Sequence, residues 1–310
     1  MPIFDRYLFA DYSGVGEDYQ LNKEICLYEV DSGGTATRLS PIAGPGNFSR
    51  DTLRETIRFY LDEARKNGER VIFGMDHQYG WPPHLRSLAN FGPDWRGGVN
   101  QLFNGVGLIP PLDVPRCFCR GFNRGVGTRV FWSLNPDFRR KYDLGAQPIA
   151  GVDRFRSTEH RLISKGYKPK SADELGVNGS VAGQTICGLK QIAQMLSWED
   201  VAWWPFDGLN IEDDAYKSKH VGVEVFPGLY PVSAHNLVGP DHSEHCRDAR
   251  RSAEFIWEED KNNRLHGKGG LLNPFGAMPE TESDNRGEEN QVRQPQDEDR
   301  IRVEGWIVGA

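Results

Sequence analysis

The 310-residue chain has 38% hydrophobic and 26% charged residues, a composition that is typical of a globular protein and excludes collagen, coiled coil and wholesale disorder. Its 37 basic and 44 acidic residues give a formal net charge of −7 at pH 7, which argues at first against a nucleic-acid partner. The sequence contains no apolar run near the roughly 20 residues that cross a bilayer, and it begins without a signal-peptide pattern. We therefore expect neither secretion nor membrane insertion.

The first forty residues predict three antiparallel strands. An apolar run over residues 3–10 leads into Asp11 and then Ser13-Gly14, which is typical of a strand ending in a turn. Residues 24–30 alternate between apolar and polar side chains, and the turn sequence over 31–34 connects them to a third strand over 35–39.

A helix and a fourth strand follow. Apolar side chains recur at helical spacing over residues 49–67, with Thr52 to Glu55 as a capping box and Gly68 as the stop. Residues 71–76 form a short apolar run that predicts a buried strand parallel to the first. A right-handed crossover would place its last residue, Asp76, beside Asp11 at one edge of the sheet.

The rest of the chain is less regular. Glycine, proline and aromatic residues dominate 92–154, which we interpret as a loop-rich insertion with short helices near 97–105 and 136–142. Its aromatic and arginine side chains could form a stacking surface for a single strand of nucleic acid, or they could pack the insertion against the sheet. Beyond it, the pattern predicts a helix over 179–196, strands over 201–206 and 221–226, and a helix over 243–262.

Residues 279–300 carry much of the negative charge. They contain eight acidic residues, three arginines and one aliphatic residue, Val292, so their net charge is −5 and the other residues sum to −2. Such a segment cannot bury enough apolar surface to offset the entropy of ordering. We predict a disordered, mobile loop whose deletion leaves the fold intact.

The five cysteines are Cys26, Cys117, Cys119, Cys187 and Cys246. They lack the paired spacing of a structural zinc site. Reduced thiols in a cytoplasmic protein are the simplest interpretation, and we predict a cytoplasmic location.

Four acidic residues occupy places where predicted strands or a helix reach the same edge of the sheet: Asp11, Asp76, Glu224 and Asp248. An aspartate at a strand end is usually a turn or cap residue, so the argument depends on their joint arrangement. Clustered carboxylates repel one another unless a cation or shared protons relieve the repulsion. Oxygen ligands suit Mg²⁺ or Mn²⁺, and Asp11 is the candidate to bridge two ions.

Short motifs occur in a consistent order along most of the chain: DYSG from Asp11, MDHQYGWP from Met75, RSTE from Arg156, PKS from Pro169, GSVAGQT from Gly179, WPFD from Trp204, VEVFPGLY from Val223, RDARRSA from Arg247 and EGWIVG from Glu304. In these motifs the chain resembles the predicted ribonuclease H-like nuclease family catalogued as domain of unknown function 429. The resemblance implies one α/β domain over 1–310 with a ribonuclease H-like fold, in which antiparallel strands precede parallel ones and helices flank the sheet. It also matches the four carboxylates to the family's acidic site, although the arginines around Asp248 depart from its pattern.

Several polar residues are candidates to bind substrate: Arg156, Glu159, Arg161, Lys170, Gln184 and Arg247. For Arg156, Glu159 and Arg161 an ordinary solvated ion-pair face is an equal alternative. His77 could assist proton transfer or could be a structural histidine. The run from His242 through His245 to Cys246 fits no common metal site and is discounted.

These observations predict a divalent-metal-dependent nuclease that hydrolyses phosphodiester bonds of DNA or RNA. One alternative is an actin-like or sugar-kinase-type phosphotransferase, because the sequence from Asp11 to Gly14 resembles a phosphate-facing D-x-x-G hairpin. Another is a ribonuclease H-like module that binds nucleic acid or protein without catalysis. The sequence is also compatible with a protein partner or with a homo-oligomer.

Overall fold

The computed structural model describes residues 2–13, 17–105, 114–176, 180–231, 243–267, 269–274 and 295–310. A six-stranded sheet with strand order β3-β2-β1-β4-β6-β5 lies at its centre. The strands are β1 (Arg6–Asp11), β2 (Cys26–Asp31), β3 (Ala36–Arg38), β4 (Val71–Met75), β5 (Val201–Trp203) and β6 (His220–Glu224).

The sheet is mixed, as predicted. Strand β2 pairs antiparallel with β1 and β3, whereas β1–β4, β4–β6 and β6–β5 are parallel pairs. The register places Asp11 opposite Cys26, and Met75 opposite Glu224. Because β1, β4 and β6 run in the same direction, their carboxyl ends meet at one edge. This confirms an α/β fold with antiparallel and then parallel strands, while its assignment to the ribonuclease H-like class stays a prediction.

Nine α-helices are described: α1 (Arg50–Lys66), α2 (Pro83–Leu88), α3 (Trp95–Asn100), α4 (Val114–Val126), α5 (Pro136–Tyr142), α6 (Ser157–Ser164), α7 (Ala182–Met195), α8 (Glu244–Lys261) and α9 (Pro295–Glu304). A π-helical turn at Gln101–Gly105 and 3₁₀ turns at Asp214–Tyr216 and Pro227–Leu229 complete the helical segments among the described residues.

Alternate residues of β1 enter two different hydrophobic clusters. Leu8 and Ala10 pack in a cluster with residues of α1 and α7, whereas Tyr7 and Phe9 pack in a cluster with residues of α8. This follows from the two-residue period of a strand that is covered on both faces. Helices therefore flank the sheet on both sides.

The start of α1 differs from the prediction. Ser49 caps the helix: its Oγ accepts a hydrogen bond from the Thr52 backbone N–H at 3.1 Å, and Thr52 Oγ1 accepts one from the Ser49 N–H at 2.8 Å. The predicted capping box of Thr52 and Glu55 is wrong by one turn, because the Ser49–Thr52 pair already satisfies donors at the helix N-terminus.

The region 92–154 contains α3, the π-helical turn, α4 and α5. The two predicted short helices are confirmed, but α4 was not predicted. Most of the aromatic rings near this region are buried: Trp81, Phe118 and Phe131 are at most 5% exposed and make edge-to-face contacts. They pack the region against the rest of the protein, so the prediction that these rings form a stacking surface for nucleic acid is wrong.

Helix α9 corrects the prediction of a disordered loop over residues 279–300. Its range covers the last six residues of the predicted loop over 279–300, and residues 279–294 lie outside the described residues. Ile301 and Val303 are buried, and Arg300 donates a hydrogen bond to Glu304 at 2.7 Å. Apolar side chains on the C-terminal half of α9 explain why the chain is ordered there despite the acidic residues before it.

Two cysteines form a disulfide. Cys26 on β2 is bonded to Cys246 on α8, with Cα atoms 5.1 Å apart, whereas Cys117, Cys119 and Cys187 take no part in a disulfide. The prediction of five reduced thiols is therefore wrong, and the cytoplasmic location loses the observation that supported it, since such bonds persist in oxidising compartments. In the part of the chain that the structure describes, we find no helix with the length and apolarity to cross a membrane.

Candidate carboxylate site

Two of the predicted carboxylates meet at the carboxyl edge of the sheet. Asp11 is the last residue of β1, and Asp76 directly follows β4, its parallel neighbour. The Tyr12 backbone N–H donates a hydrogen bond to Asp76 Oδ1 at 2.6 Å, which joins the two strand ends. The sequence prediction that these strands place both aspartates together is confirmed.

Helix α8 brings two further groups to this edge. A hydrogen bond of 2.7 Å joins His245 Nδ1 and Asp11 Oδ1. Asp248 lies one turn further along α8 and is close enough to Asp11 and Asp76 to repel their negative charges. Sequence reasoning discounted His245 because its spacing from His242 and Cys246 fits no metal site. Its partner lies 234 positions away, and local spacing contains no such information.

Burial and mutual repulsion dominate the electrostatics of the cluster. Burial raises the pKa of Asp11 to about 6, where the His245 hydrogen bond lowers it and the Asp248 charge adds to the rise. Burial also raises the pKa of Asp76 well above its ordinary value, and the negative charge of Asp11 raises it further. The hydrogen bond to Asp11 raises the pKa of His245. The site therefore holds more potential negative charge than it can retain without protons or a cation.

Glu224 has a different partner. It is the last residue of β6, whereas the sequence predicted a strand that continued to residue 226. Its carboxylate accepts hydrogen bonds from both terminal nitrogens of Arg156, one of them at 2.7 Å. The Tyr79 backbone N–H donates a further bond to Glu224 Oε2 at 2.8 Å. The predicted four-carboxylate cluster is therefore a cluster of three, because Arg156 occupies the oxygens that Glu224 would offer to a metal.

Arg156 and Glu159 are interior residues. The Arg156 side chain is 0% exposed; its Nε donates to Glu159 Oε1 at 2.9 Å, and its Nη1 donates to the Glu304 carbonyl at 3.1 Å. The Gln78 side chain also donates to Glu159, at 3.2 Å. The two residues cannot reach a substrate in this arrangement, so their predicted role in substrate binding is corrected to a structural one.

The other predicted substrate residues have separate surroundings. The guanidinium of Arg161 lies 5.7 Å from the centre of the Trp306 ring, and Lys170 is exposed. Gln184, at the start of α7, donates a hydrogen bond to the Tyr12 carbonyl, directly after Asp11. Arg247 is exposed on α8 beside Asp248. Only Gln184 and Arg247 are therefore next to residues of the carboxylate cluster.

A buried ion pair supports the chain after β1. Arg50, which is 1% exposed, donates to Asp18 Oδ1 at 2.8 Å and to the Ser13 carbonyl at 3.0 Å, and Lys190 forms an ion pair with the same aspartate. The bonds of Arg50 hold Ser13 and Asp18, which follow Asp11 in the chain, to the start of α1. The sequence did not predict this buried ion pair, because an arginine at the start of a helix has the same pattern as an ordinary surface residue.

No set of three or more histidine, cysteine, aspartate or glutamate side chains within the described ranges is already arranged to hold a metal ion. Comparisons with protein-family models, with curated proteins and with solved structures found no match for this chain. The resemblance to the predicted nuclease family therefore stays a prediction.

Proposed function

We propose that the protein is a divalent-metal-dependent phosphodiester hydrolase of the ribonuclease H-like class, with Asp11, Asp76 and Asp248 as its metal ligands. The observation that supports this is the convergence of three carboxyl groups at one sheet edge, each with a pKa that burial raises. A bound cation would relieve their mutual repulsion.

The donor set has the chemistry of a magnesium or manganese site. All three ligands offer carboxylate oxygens, which are the donors that these ions prefer. When bound, the cation supplies positive charge that activates water and stabilises negative charge on the phosphodiester group. Asp11 and Asp76 each have an oxygen engaged with a protein donor, His245 or the Tyr12 N–H, so the proposal requires their carboxyl groups to reorient on binding.

Neighbouring residues would assist in distinct ways. His245 is hydrogen-bonded to Asp11 with its side chain 39% exposed, so it can exchange a proton with solvent at the site. Arg247 offers an exposed positive charge beside Asp248 to a substrate phosphate. Gln184 holds the Tyr12 carbonyl and so positions the backbone that follows Asp11.

The test is cleavage of labelled DNA and RNA oligonucleotides with Mg²⁺ or Mn²⁺. We expect Asp11→Asn to abolish cleavage without unfolding the protein, because the amide preserves the shape of the side chain and removes its charge. The matched control is Asp214→Asn, which alters an aspartate with a 90% exposed side chain and should leave activity unchanged. Retained cleavage in the Asp11 variant would refute the proposal.

Calorimetry with Mn²⁺ separates ligands from structural residues. We expect Asp76→Asn to lose metal binding, whereas Glu224→Gln should retain it, because Glu224 bonds to Arg156 instead. If Asp76→Asn still binds Mn²⁺ and only Glu224→Gln loses it, the proposed choice of ligands is wrong.

A further inference from the structure

One helix on the insertion carries a row of arginines that the proposed chemistry does not use. Arg116, Arg120 and Arg124 follow one another at intervals of four residues on α4, so they lie along one side of the helix. At about 1.5 Å of rise per residue, the row is about 12 Å long. Arg124 is exposed, and Arg116 and Arg120 are half-buried.

The side of α4 that faces the protein is well packed. Phe118, Cys119 and Asn123 are at most 5% exposed, and Asn123 bonds to the backbone of residues 130 and 143. These contacts fix the helix and therefore the direction of the arginine row. Among the described residues, Arg120 and Arg124 form no ion pair with an acidic side chain, and Arg124 is exposed.

Two glycines open the surface beside the row. A Cβ atom at Gly121 or Gly125 would have no neighbour within 4 Å, so nothing in the described chain covers the helix there. Each glycine directly follows an arginine of the row. A ligand can therefore approach the helix backbone closely while it contacts the neighbouring guanidinium groups.

The surroundings of the row are also basic. Helix α5 packs against α4 and carries Arg139, Arg140 and Lys141 near its end. Residues 114–143 contain six arginines, one lysine and two aspartates, which is a net charge of +5 in a chain of net charge −7. This concentration of one sign of charge attracts a polyanion while the chain as a whole repels it.

We propose that the arginine row of α4 binds the phosphate backbone of a nucleic-acid strand. Three guanidinium groups spread over about 12 Å of helix can contact successive phosphates of one strand. Arginine matches this chemistry because its planar guanidinium donates paired hydrogen bonds to phosphate oxygens. The inference deepens the proposed hydrolase and rests on it for the substrate role: the substrate is a polymer of several nucleotides instead of a small nucleotide.

The experiment measures binding of a fluorescein-labelled 20-nucleotide single strand to the full chain by anisotropy, in EDTA to prevent cleavage. We expect the Arg120→Gln/Arg124→Gln double variant to bind about tenfold or more weakly near 50 mM salt. It should also reduce the slope of log affinity against log salt by about 1.4, at roughly 0.7 for each lost phosphate contact.

The control removes the same charge elsewhere. Lys66→Gln/Lys217→Gln changes two lysines whose side chains are 68% and 72% exposed, and it should leave both quantities nearly unchanged. An equal loss in both double variants, or no loss in the arginine variant, would refute the arginine row as the site. Polyglutamate that binds as tightly as the oligonucleotide, with the same dependence on Arg120 and Arg124, would instead identify an acidic protein as the ligand and overturn the nucleic-acid assignment.

Failure of the hydrolase proposal would give a different result. In that case the oligonucleotide would still bind through the arginine row in EDTA, but no cleavage would follow when Mg²⁺ or Mn²⁺ is added. The variant Asp11→Asn also separates binding from cleavage, because it should abolish cleavage and leave oligonucleotide binding in EDTA intact.

Discussion

Asp76 and Glu224 occupy similar positions at the ends of neighbouring parallel strands, but their surroundings differ in charge. Glu224 bonds to the buried guanidinium of Arg156, whereas Asp76 faces the carboxyl group of Asp11. The first arrangement compensates a buried charge within the protein, and the second leaves charge for a ligand or a proton to compensate. The identity of one neighbour therefore separates a structural carboxylate from a candidate ligand.

His77 gives a prediction about acid stability. Its ring is 1% exposed, and burial lowers its pKa from the ordinary 6.5 to about 4. The unfolded chain therefore binds a proton at this residue more readily than the folded protein, so its contribution to stability is full above pH 6.5 and is lost as the pH falls towards 4. The difference corresponds to a loss on the order of 3 kcal/mol in the free energy of unfolding.

Urea denaturation at several pH values between 7 and 4.5 tests this expectation. The variant His77→Gln should show a flatter fall in the free energy of unfolding across this range, even if it is less stable at neutral pH. His160→Gln is the control, because its side chain is 50% exposed on α6. Parallel curves for the wild type and the His77 variant would contradict the prediction.

At the scale of elements, α8 combines covalent and ionic attachments to the sheet. Cys246 is bonded to Cys26 on β2, and the preceding residue, His245, contacts Asp11 on β1. Further along the helix, Asp260 accepts a hydrogen bond from the Phe4 backbone N–H at 2.9 Å. The disulfide thus holds the end of α8 that carries the groups of the carboxylate site.

We expect the Cys26→Ser/Cys246→Ser double variant to lose about 2–5 kcal/mol of unfolding free energy, because the bond closes a long loop in the unfolded chain. Its affinity for Mn²⁺ should also fall, since the start of α8 is less restrained. Urea denaturation and calorimetry measure the two effects. A thiol reagent in denaturant should detect three thiols in the unreduced protein, from the cysteines outside the disulfide; five would show that the bond is absent. The control, Cys117→Ser, alters a cysteine outside the disulfide.

Elements with strong periodicity could be predicted, and those held by distant contacts could not. The apolar run of β1, the alternation of β2 and the helical spacing of α1 predicted their positions to within a few residues. Helix α4 was missed because Gly121 and Gly125 interrupt its pattern with poor helix formers. The same limit applies at the carboxylate site. The predicted strand order was enough to place Asp11 beside Asp76. The pairing of Asp11 with His245 and of Glu224 with Arg156 could not be predicted, because these partners are far apart in sequence.

At the scale of the whole molecule, opposite charges are concentrated in different segments. Residues 114–143 carry a net charge of +5, whereas residues 279–294, with five acidic residues and two arginines, carry −3. Deletion of the entire range 279–300 would also remove the start of α9, so the smaller range is the appropriate one to change.

We expect replacement of residues 279–294 by an uncharged glycine–serine segment of equal length to strengthen oligonucleotide binding, because the net charge changes from −7 to −4. The gain should be largest at low salt and should disappear near 1 M salt, where the screening length falls to about 3 Å. Anisotropy titrations across a salt series measure it. A gain that persists at high salt would show that repulsion by this segment is not its cause.

The covering of β1 and β2 by α8 determines when this protein can complete its fold during translation. Cys26 and Cys246 are separated by 220 positions, and ribosomes add about 5–20 residues each second. The apolar face of the first strands therefore waits about 10–40 s for the helix that covers it. During that interval the nascent chain presents an uncovered sheet edge and face, which are the features that chaperones bind.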